Sequence, residues 1–516
     1  MACRWTANEL GKAPLWHRLA CTECRKAAAA DARIRLAVEC MKAQPLPVDR
    51  MEAMLRSLTL DAQSARTVAE RAGISYKRLR QAALGFAALL VVAMAGRVHY
   101  CLEDPGIAVP AVHLPSPNAY YTFDAAAQRL TDGNEIEAAL KQADPAKFPA
   151  ADEKRITAAD RAALVAANTP ALDLLHTGFS QPYLAKPCRS FNATFPELAR
   201  FRNLARFCAL ASASAAEQGR WGEAMERSLD AVEMGRRLPK GATMIGYLVG
   251  LACESIGRAQ AWNCVEHLTD AEAAAALARL ERLRTRFVPY RDVLTEEKWM
   301  AVAGLQEMMR SRDWTGSAGQ LLASSESQMP RGALALLSVR YPKREVMANL
   351  MRAYDEEIGS ADSDYMPSVS SYYPWEEDAD RLGLDPITRM LMPVFSQASF
   401  KDSLNRADDA LLRSALALRI HHLRHGEFPA GLFALGEVGC RTVLDPFASF
   451  SSSRELRYRK VGKGYLLYSV GPNSTDNQGM PITNQNSGSS PASKAAQMDS
   501  FGDLVAPTSV AVTPRP

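Results

Sequence analysis

The chain has 516 residues, of which 47% are hydrophobic and 23% charged, with a formal net charge of +4. This is the composition of a globular protein; it excludes a low-complexity chain and a strongly basic nucleic-acid binder. Ten cysteines in this length exclude a dense disulfide framework, and the length admits two to four domains.

The sharpest chemical pattern lies in residues 1–45, at His17-x3-Cys21-x2-Cys24. A C-x2-C pair closes on one tetrahedral Zn²⁺, and a His four residues earlier lies one helical turn back, facing the same ion. A structural site needs a fourth ligand, for which Cys3 is the first candidate and Cys40 the second. The expected zinc set is therefore Cys3, His17, Cys21 and Cys24. The alternative is three unliganded residues on a small helix. A Cys at position 3 followed by H-x3-C-x2-C and Arg25 resembles the zinc-finger domain of bacterial anti-sigma factors, over roughly residues 1–40. That resemblance implies a small helical module ahead of a single membrane span, with a sigma factor or other cytoplasmic protein as partner. The interval from Cys3 to His17 is shorter than in that family.

Residues 46–81 read as a helical juxtamembrane linker. Pro45 and Pro47 break any helix before it, and Asp49–Leu60 forms the next helical stretch. Residues 67–82, TVAERAGISYKRLRQA, carry the spacing of a helix-turn-helix, with Gly73 at the turn and Ser75 to Arg78 opening a recognition helix. The same basic residues serve equally as a membrane flank, and on that reading nucleic acid is not an expected partner.

The run Ala82–Gly96, AALGFAALLVVAMAG, is the one long uncharged apolar run. At about 1.5 Å per residue it rises about 22 Å, against about 30 Å of hydrocarbon. Extension from Leu79 to Leu102 reaches about 36 Å, with Arg80 and Arg97 snorkelling to the headgroups. Tyr76 and Tyr100 fall where interfacial aromatics belong. A transmembrane helix over 82–100 is expected; a buried core helix is the alternative. The run begins too deep in the chain for an ordinary cleaved signal peptide. Residues 1–81 hold 15 Lys and Arg against 8 Asp and Glu, and the remainder 46 against 49. The positive-inside rule then places the N-terminus in the cytoplasm and the rest outside a bacterial inner membrane. Cys3, Cys21, Cys24 and Cys40 fall on the reducing side. Cys101, Cys188, Cys208, Cys253, Cys264 and Cys440 fall on the oxidising side, where pairing is open.

Residues 101–118 form a Pro-rich linker. Residues 119–310 read as a helical domain, with helices at Ala119–Leu130, Glu135–Gln142, Ala158–Leu175, Pro196–Glu217, Trp221–Arg237, Ala242–Val265 and Ala271–Arg286. Thr157 and Thr269 are expected N-caps, each followed by acidic residues. The stretch 215–225, AAEQGRWGEAM, resembles one tetratricopeptide-type hairpin, without a 34-residue recurrence along the chain. Glu296-Glu297-Lys298-Trp299 reads as a solvated helix face. Residues 311–425 continue the domain with long loops and a helix at Asn405–Arg424. There His421, His422 and His425 invite a metal reading, but Gly426 marks a helix end that a basic side chain complements.

Residues 426–480 form a small β unit. Leu456, Tyr458 and then Tyr465, Leu467, Ser469 alternate around Gly462-Lys463-Gly464. With Asp445-Pro446-Phe447 ahead and Gly471-Pro472-Asn473 behind, the segment resembles the C-terminal β-segment of type II secretion pseudopilins. Asn473 and Asp476 offer too few carboxylates for a Ca²⁺ loop. Residues 481–516 read as a disordered tail. The whole order is also similar to that of uncharacterised bacterial envelope proteins.

The expected fold is thus mainly α: a small helical zinc module, one transmembrane helix, and a large all-α extracytoplasmic domain with a small C-terminal β-hairpin unit. No G-x-S-x-G, P-loop, HExxH or GxGxxG stands in a fitting context, so no catalytic or cofactor-binding residues are assigned and an enzyme is not expected. Three functions remain open. The first is a transmembrane signalling protein with an anti-sigma-like module and an outer sensor domain. The second is an envelope scaffold with a purely structural zinc site. The third is a membrane-tethered helix-turn-helix regulator.

Overall fold

The computed structural model describes residues 76–131, 133–143, 155–310, 341–361, 383–392, 395–440, 444–448, 453–482 and 496–510. They are mainly helical, with one small sheet. The chain divides into two compact units, residues 1–104 with 312–345, and residues 105–311 with 346–516.

In the first unit, α1 (Tyr76–Leu102) is a continuous helix. Residues 67–75 of the expected helix-turn-helix lie outside the described residues, and the expected recognition helix runs on into the apolar segment without a break. A helix apolar on every side belongs either in a protein core or in lipid. None of the apolar window in Arg80–Cys101 is buried, and Leu89 and Val92 are 69% and 67% exposed. The segment is not packed as a buried core helix would be. Among the described residues, α1 is the one helix long and apolar enough to cross a membrane. Beyond its end, Glu103 accepts an ion pair from Arg344 (2.5 Å), and Asp104 one from Lys343.

The second unit opens with α2 (Ala119–Gln128), α3 (Gly133–Gln142) and α4 (Ala158–Phe179). Asn118 caps α2 through Tyr120 N–H (3.1 Å) and also clamps Leu184 by both its N–H and its carbonyl. That one side chain thereby fixes where the chain runs after α4. Thr157 and Asp160 form a capping box at the start of α4. Next come α5 (Pro196–Glu217) and α6 (Trp221–Arg237), an antiparallel hairpin turned at Gly219, whose φ of +73° is a conformation glycine tolerates best. Then follow α7 (Met244–Cys264), α8 (Asp270–Arg284, capped by the Thr269–Glu272 box), α9 (Tyr290–Arg310), α10 (Lys343–Ser360, whose first three residues belong to the first unit), α11 (Pro386–Leu391) and α12 (Phe395–His425).

Two apolar cores hold this unit. One gathers α2–α5 and the inner faces of α6 and α7 around Phe123, Leu175, Phe201 and Phe207. The other joins α6, α7, α8 and α12 to the C-terminal sheet around Met225, Leu277, Leu416 and Leu467. Helix α12 starts earlier than the polar pattern at Asn405 suggests, because Phe395, Ala398 and Phe400 supply buried apolar contacts to its first turns.

The sheet consists of β1 (Arg457–Val461), β2 (Gly464–Ser469) and β3 (Leu504–Val505), all antiparallel in that order. Tyr458 faces Leu467, and Tyr468 faces Val505. The expected hairpin is present, and the expectation of a disordered tail from 481 is corrected for residues 496–510; 483–495 and 511–516 lie outside the described residues. Residues 496–510 return to cover β2, burying Ala506 and Asp503. The open backbone edge of a buried strand needs a partner, and Leu504–Val505 supplies it.

Two further corrections concern side chains. Glu297 and Lys298 do not lie on a solvated face; each is 7% exposed. Glu297 caps α7 by accepting Met244 N–H (2.7 Å), and Lys298 pairs with Asp355 (2.5 Å). Burial raises the Glu297 carboxyl above its ordinary range, partly offset by that amide. Cys101, Cys188, Cys208, Cys253, Cys264 and Cys440 are all buried, and no disulfide forms among the described residues.

Candidate functional site

The expected zinc ligands Cys3, His17, Cys21 and Cys24, and Cys40 with them, lie outside the described residues. Among the described residues no group of three or more His, Cys, Asp or Glu is placed to hold a metal. The histidine triplet behaves as a helix end. Gly426, at φ +77°, donates its N–H to the His422 carbonyl (2.8 Å), His421 Nδ1 lies 3.1 Å from the Glu427 carbonyl oxygen, and His422 stacks on Phe428. The C-terminal acids are likewise engaged locally. Asp445 accepts Ser469 Oγ (2.7 Å), Val470 N–H (2.9 Å) and Phe447 N–H (3.0 Å), so the D-P-F step and the S-V-G ending are one hydrogen-bonded corner. Asp476 accepts Tyr468 Oη–H (2.9 Å) and Gln478 N–H (2.8 Å).

The unexpected chemistry is a buried ionic network between α6, α7, α8 and α12. It depends on close packing of α6 against α7. A Cβ on Gly235 would stand 2.6 Å from the Gly250 carbonyl oxygen, and one on Gly257 would stand 2.5 Å from the Ser228 carbonyl oxygen. With the two backbones in contact, Arg236 donates to Glu254 (2.8 Å) and to Asp409 (2.7 Å). Arg258 donates to the same Glu254 oxygen (3.0 Å) and to Asn405. Arg413 bridges Asp409 (2.8 Å) and Glu281 (2.7 Å). Burial works against the Asp409 charge, but Arg236 and Arg413 outweigh it and hold the carboxylate well below its ordinary range. One layer out, Tyr247 donates to Asp402, whose carboxyl burial pushes upward.

A second cluster surrounds Arg279, which donates to Glu226 (2.7 Å), Asp230 (2.8 Å) and Glu233 (3.1 Å). His176 Nε2 lies 2.8 Å from the other Asp230 oxygen, a contact that raises the imidazole above its ordinary value.

Beside Arg236 and Arg237 opens a cavity of about 540 Å³. Three segments line it: 179–183 from the last residue of α4, 236–240 at the end of α6, and 285–292 from the end of α8 into the first turn of α9. Each is held by the fold. Ala119 N–H bonds the Pro182 carbonyl (2.9 Å), Ala185 N–H bonds the Lys240 carbonyl (2.9 Å), and Tyr183 stacks on Phe123 at 5.8 Å. Arg237 donates to the carbonyls of Phe179 (2.6 Å) and Gln181 (3.1 Å) and to Glu233 (2.6 Å). It also covers the Phe179 ring at 5.3 Å, with Arg279 at 5.9 Å. The lining thus carries Arg236, Arg237, Lys240 and Arg286 against one acid, Asp292. None of these residues carries a motif in the sequence. Their one signal was the basic stretch GRRLPKG, 235–241, which at a helix C-terminus reads as ordinary complement to the dipole.

Comparison with protein-family models, with curated proteins and with solved structures finds no match.

Proposed function

We propose that this chain is a single-pass bacterial membrane protein, anchored by α1, with a cytoplasmic zinc-binding anti-sigma-like module and an outer helical domain that recognises a partner or ligand and signals by protein binding. The observation that carries the reading is α1 itself. Along it Leu84, Phe86, Leu89, Leu90, Val91, Val92, Met94 and Val98 are all exposed. Lys77, Arg78 and Arg80 stand at its start, and Glu103 and Asp104 follow its end. This asymmetry favours a cytoplasmic N-terminus. The zinc pattern then falls on the reducing side, where thiolates stay available to metal. The outer domain suits recognition because its helices are locked by two cores and buried ion pairs around a preformed cavity.

Reporter fusions test the topology. A reporter that works only outside the cytoplasm should be active when fused after residue 120 and silent when fused at residue 70. Activity at both points, or at neither, sinks the single-span reading. Co-purification of a sigma factor with the full chain separates signalling from a scaffold role, since a scaffold retains zinc without that partner.

A further inference from the structure

We propose that the cavity between the segments 179–183, 236–240 and 285–292 binds a water-soluble organic anion, a carboxylate or phosphate carried on a flat apolar body. This deepens the proposed recognition role of the outer domain and rests on it.

The charge argument starts from which cations are already committed. Arg236 is neutralised by Glu254 and Asp409, and Arg237 by Glu233. Lys240 and Arg286 are different. The Lys240 side chain is exposed and makes no ion pair among the described residues. Arg286 comes no closer than 3.7 Å to Glu233, which already receives Arg237 at 2.6 Å and Arg279 at 3.1 Å. Lys240 therefore remains without an ion pair among the described residues and Arg286 only loosely paired, against the single carboxylate of Asp292 in the lining. The nearby hydroxyls do not compete as donors. Ser180 Oγ–H is spent on the Thr177 carbonyl (2.7 Å), and Thr285 Oγ1–H on the Arg282 carbonyl (2.9 Å). Gln181 accepts Thr122 Oγ1–H at its carbonyl oxygen (2.7 Å), which leaves its NH₂ as a donor. The donors that remain are those an oxyanion needs.

The walls argue for an apolar body. Phe179, Tyr183 and Phe287 line the cavity together with Pro182, Val288 and Pro289. The Phe179 ring is held by two guanidinium groups and the Phe287 ring by Arg406 at 4.6 Å, so these rings are fixed in the wall before any ligand arrives. A volume of about 540 Å³ lies within the roughly 300–1,000 Å³ of small-molecule sites and far exceeds a bare oxyanion. The charged mouth, formed by Lys240, Arg286 and Asp292, favours a ligand arriving from water.

The test is calorimetric titration of the full-length protein in detergent with phenyl phosphate, with benzylamine and inorganic phosphate as controls. Saturable binding of phenyl phosphate is expected, weakened at least ten-fold in the double variant Lys240→Gln, Arg286→Gln and several-fold in Phe287→Ala. All three side chains lie in the lining rather than in the core clusters, and a thermal midpoint close to wild type verifies the fold; Lys240→Gln alone serves if the double variant unfolds. Vesicles of phosphatidylglycerol should leave the titration unchanged. The proposal is overturned by no binding, by equal binding in the charge variants, or by benzylamine binding as well as phenyl phosphate. Inorganic phosphate competing as effectively as phenyl phosphate removes the apolar body, and displacement by vesicles makes the ligand a lipid headgroup instead. Zinc content and reporter topology, measured on the same protein, stand or fall independently of these outcomes.

Discussion

Replacing Asp409 tests whether the buried ionic network supports the fold. The carboxylate receives Arg236 on one oxygen and Arg413 on the other, at 2.7 and 2.8 Å. In Asp409→Asn the shape is kept, but the charge is lost and an NH₂ must face one guanidinium. Arg236 retains Glu254 and Arg413 retains Glu281, so neither cation is stranded completely. Breaking a buried pair from one side costs roughly 3–5 kcal/mol, and the retained partners place this variant near the lower end, about 3 kcal/mol. In a domain of this size each kcal/mol moves the thermal midpoint on the order of 2 °C, giving a drop of about 6 °C. The assay is thermal unfolding of the full chain in detergent, followed by tryptophan fluorescence. The pH dependence has a defined sign. The folded carboxyl lies below its unfolded value, so its contribution is present above about pH 4 and is lost as pH falls through the lower folded value. The gap between wild type and variant should therefore be constant from pH 5 to pH 8 (about neutral conditions) and close only in strong acid. Changing both ends, Asp409→Leu with Arg413→Met, leaves Arg236 on Glu254 and Glu281 on Arg284. It should cost less than the two single changes added together, by about 1–3 kcal/mol. A midpoint that does not move in Asp409→Asn at neutral pH would refute the reasoning, because the network would then be ornamental to stability.

Gly235→Ala should destabilise by about 1–3 kcal/mol although alanine is the better helix former, since its Cβ would meet the Gly250 carbonyl oxygen at 2.6 Å; Gly359→Ala, with open space around it, should be neutral or slightly stabilising in the same thermal assay. Asp503 accepts Gly479 N–H (2.6 Å) and Asn477 N–H (3.2 Å), yet burial pushes its carboxyl up to about 7. Because the folded value is raised, its contribution is full below about pH 4 and is lost as pH rises through about 7; the stability of wild type relative to Asp503→Asn should fall across that window, and a pH-independent difference counts against it. Zinc measured in the purified full chain under reducing conditions should be one per chain, should disappear in Cys21→Ser, and should survive in Cys40→Ser if Cys3 is the fourth ligand; no stoichiometric zinc removes the site.

Local signals were sufficient wherever the physics is local. The helices Pro196–Glu217 and Trp221–Arg237 match their expected bounds, because Pro196 at the first turn and Gly219 at the hairpin act through backbone dihedrals alone. The capping boxes at Thr157 and Thr269 involve residues three apart and need no tertiary context. The apolar character of α1 is a property of composition. The sequence by itself also carries the H-x3-C-x2-C spacing on which the zinc expectation rests. Tertiary structure alone decided the rest. Arg236 and Asp409 stand 173 positions apart, and Lys240 meets Arg286 at one cavity only because three separate loops converge there. Leu504–Val505 becomes a strand because β2 offers an open edge, not because of its own pattern. Glu297 and Lys298 read as solvated charges until Met244 and Asp355 reach them from other segments. Burial is set by what packs on a side chain from afar, and a charge's role follows from the partner that burial supplies.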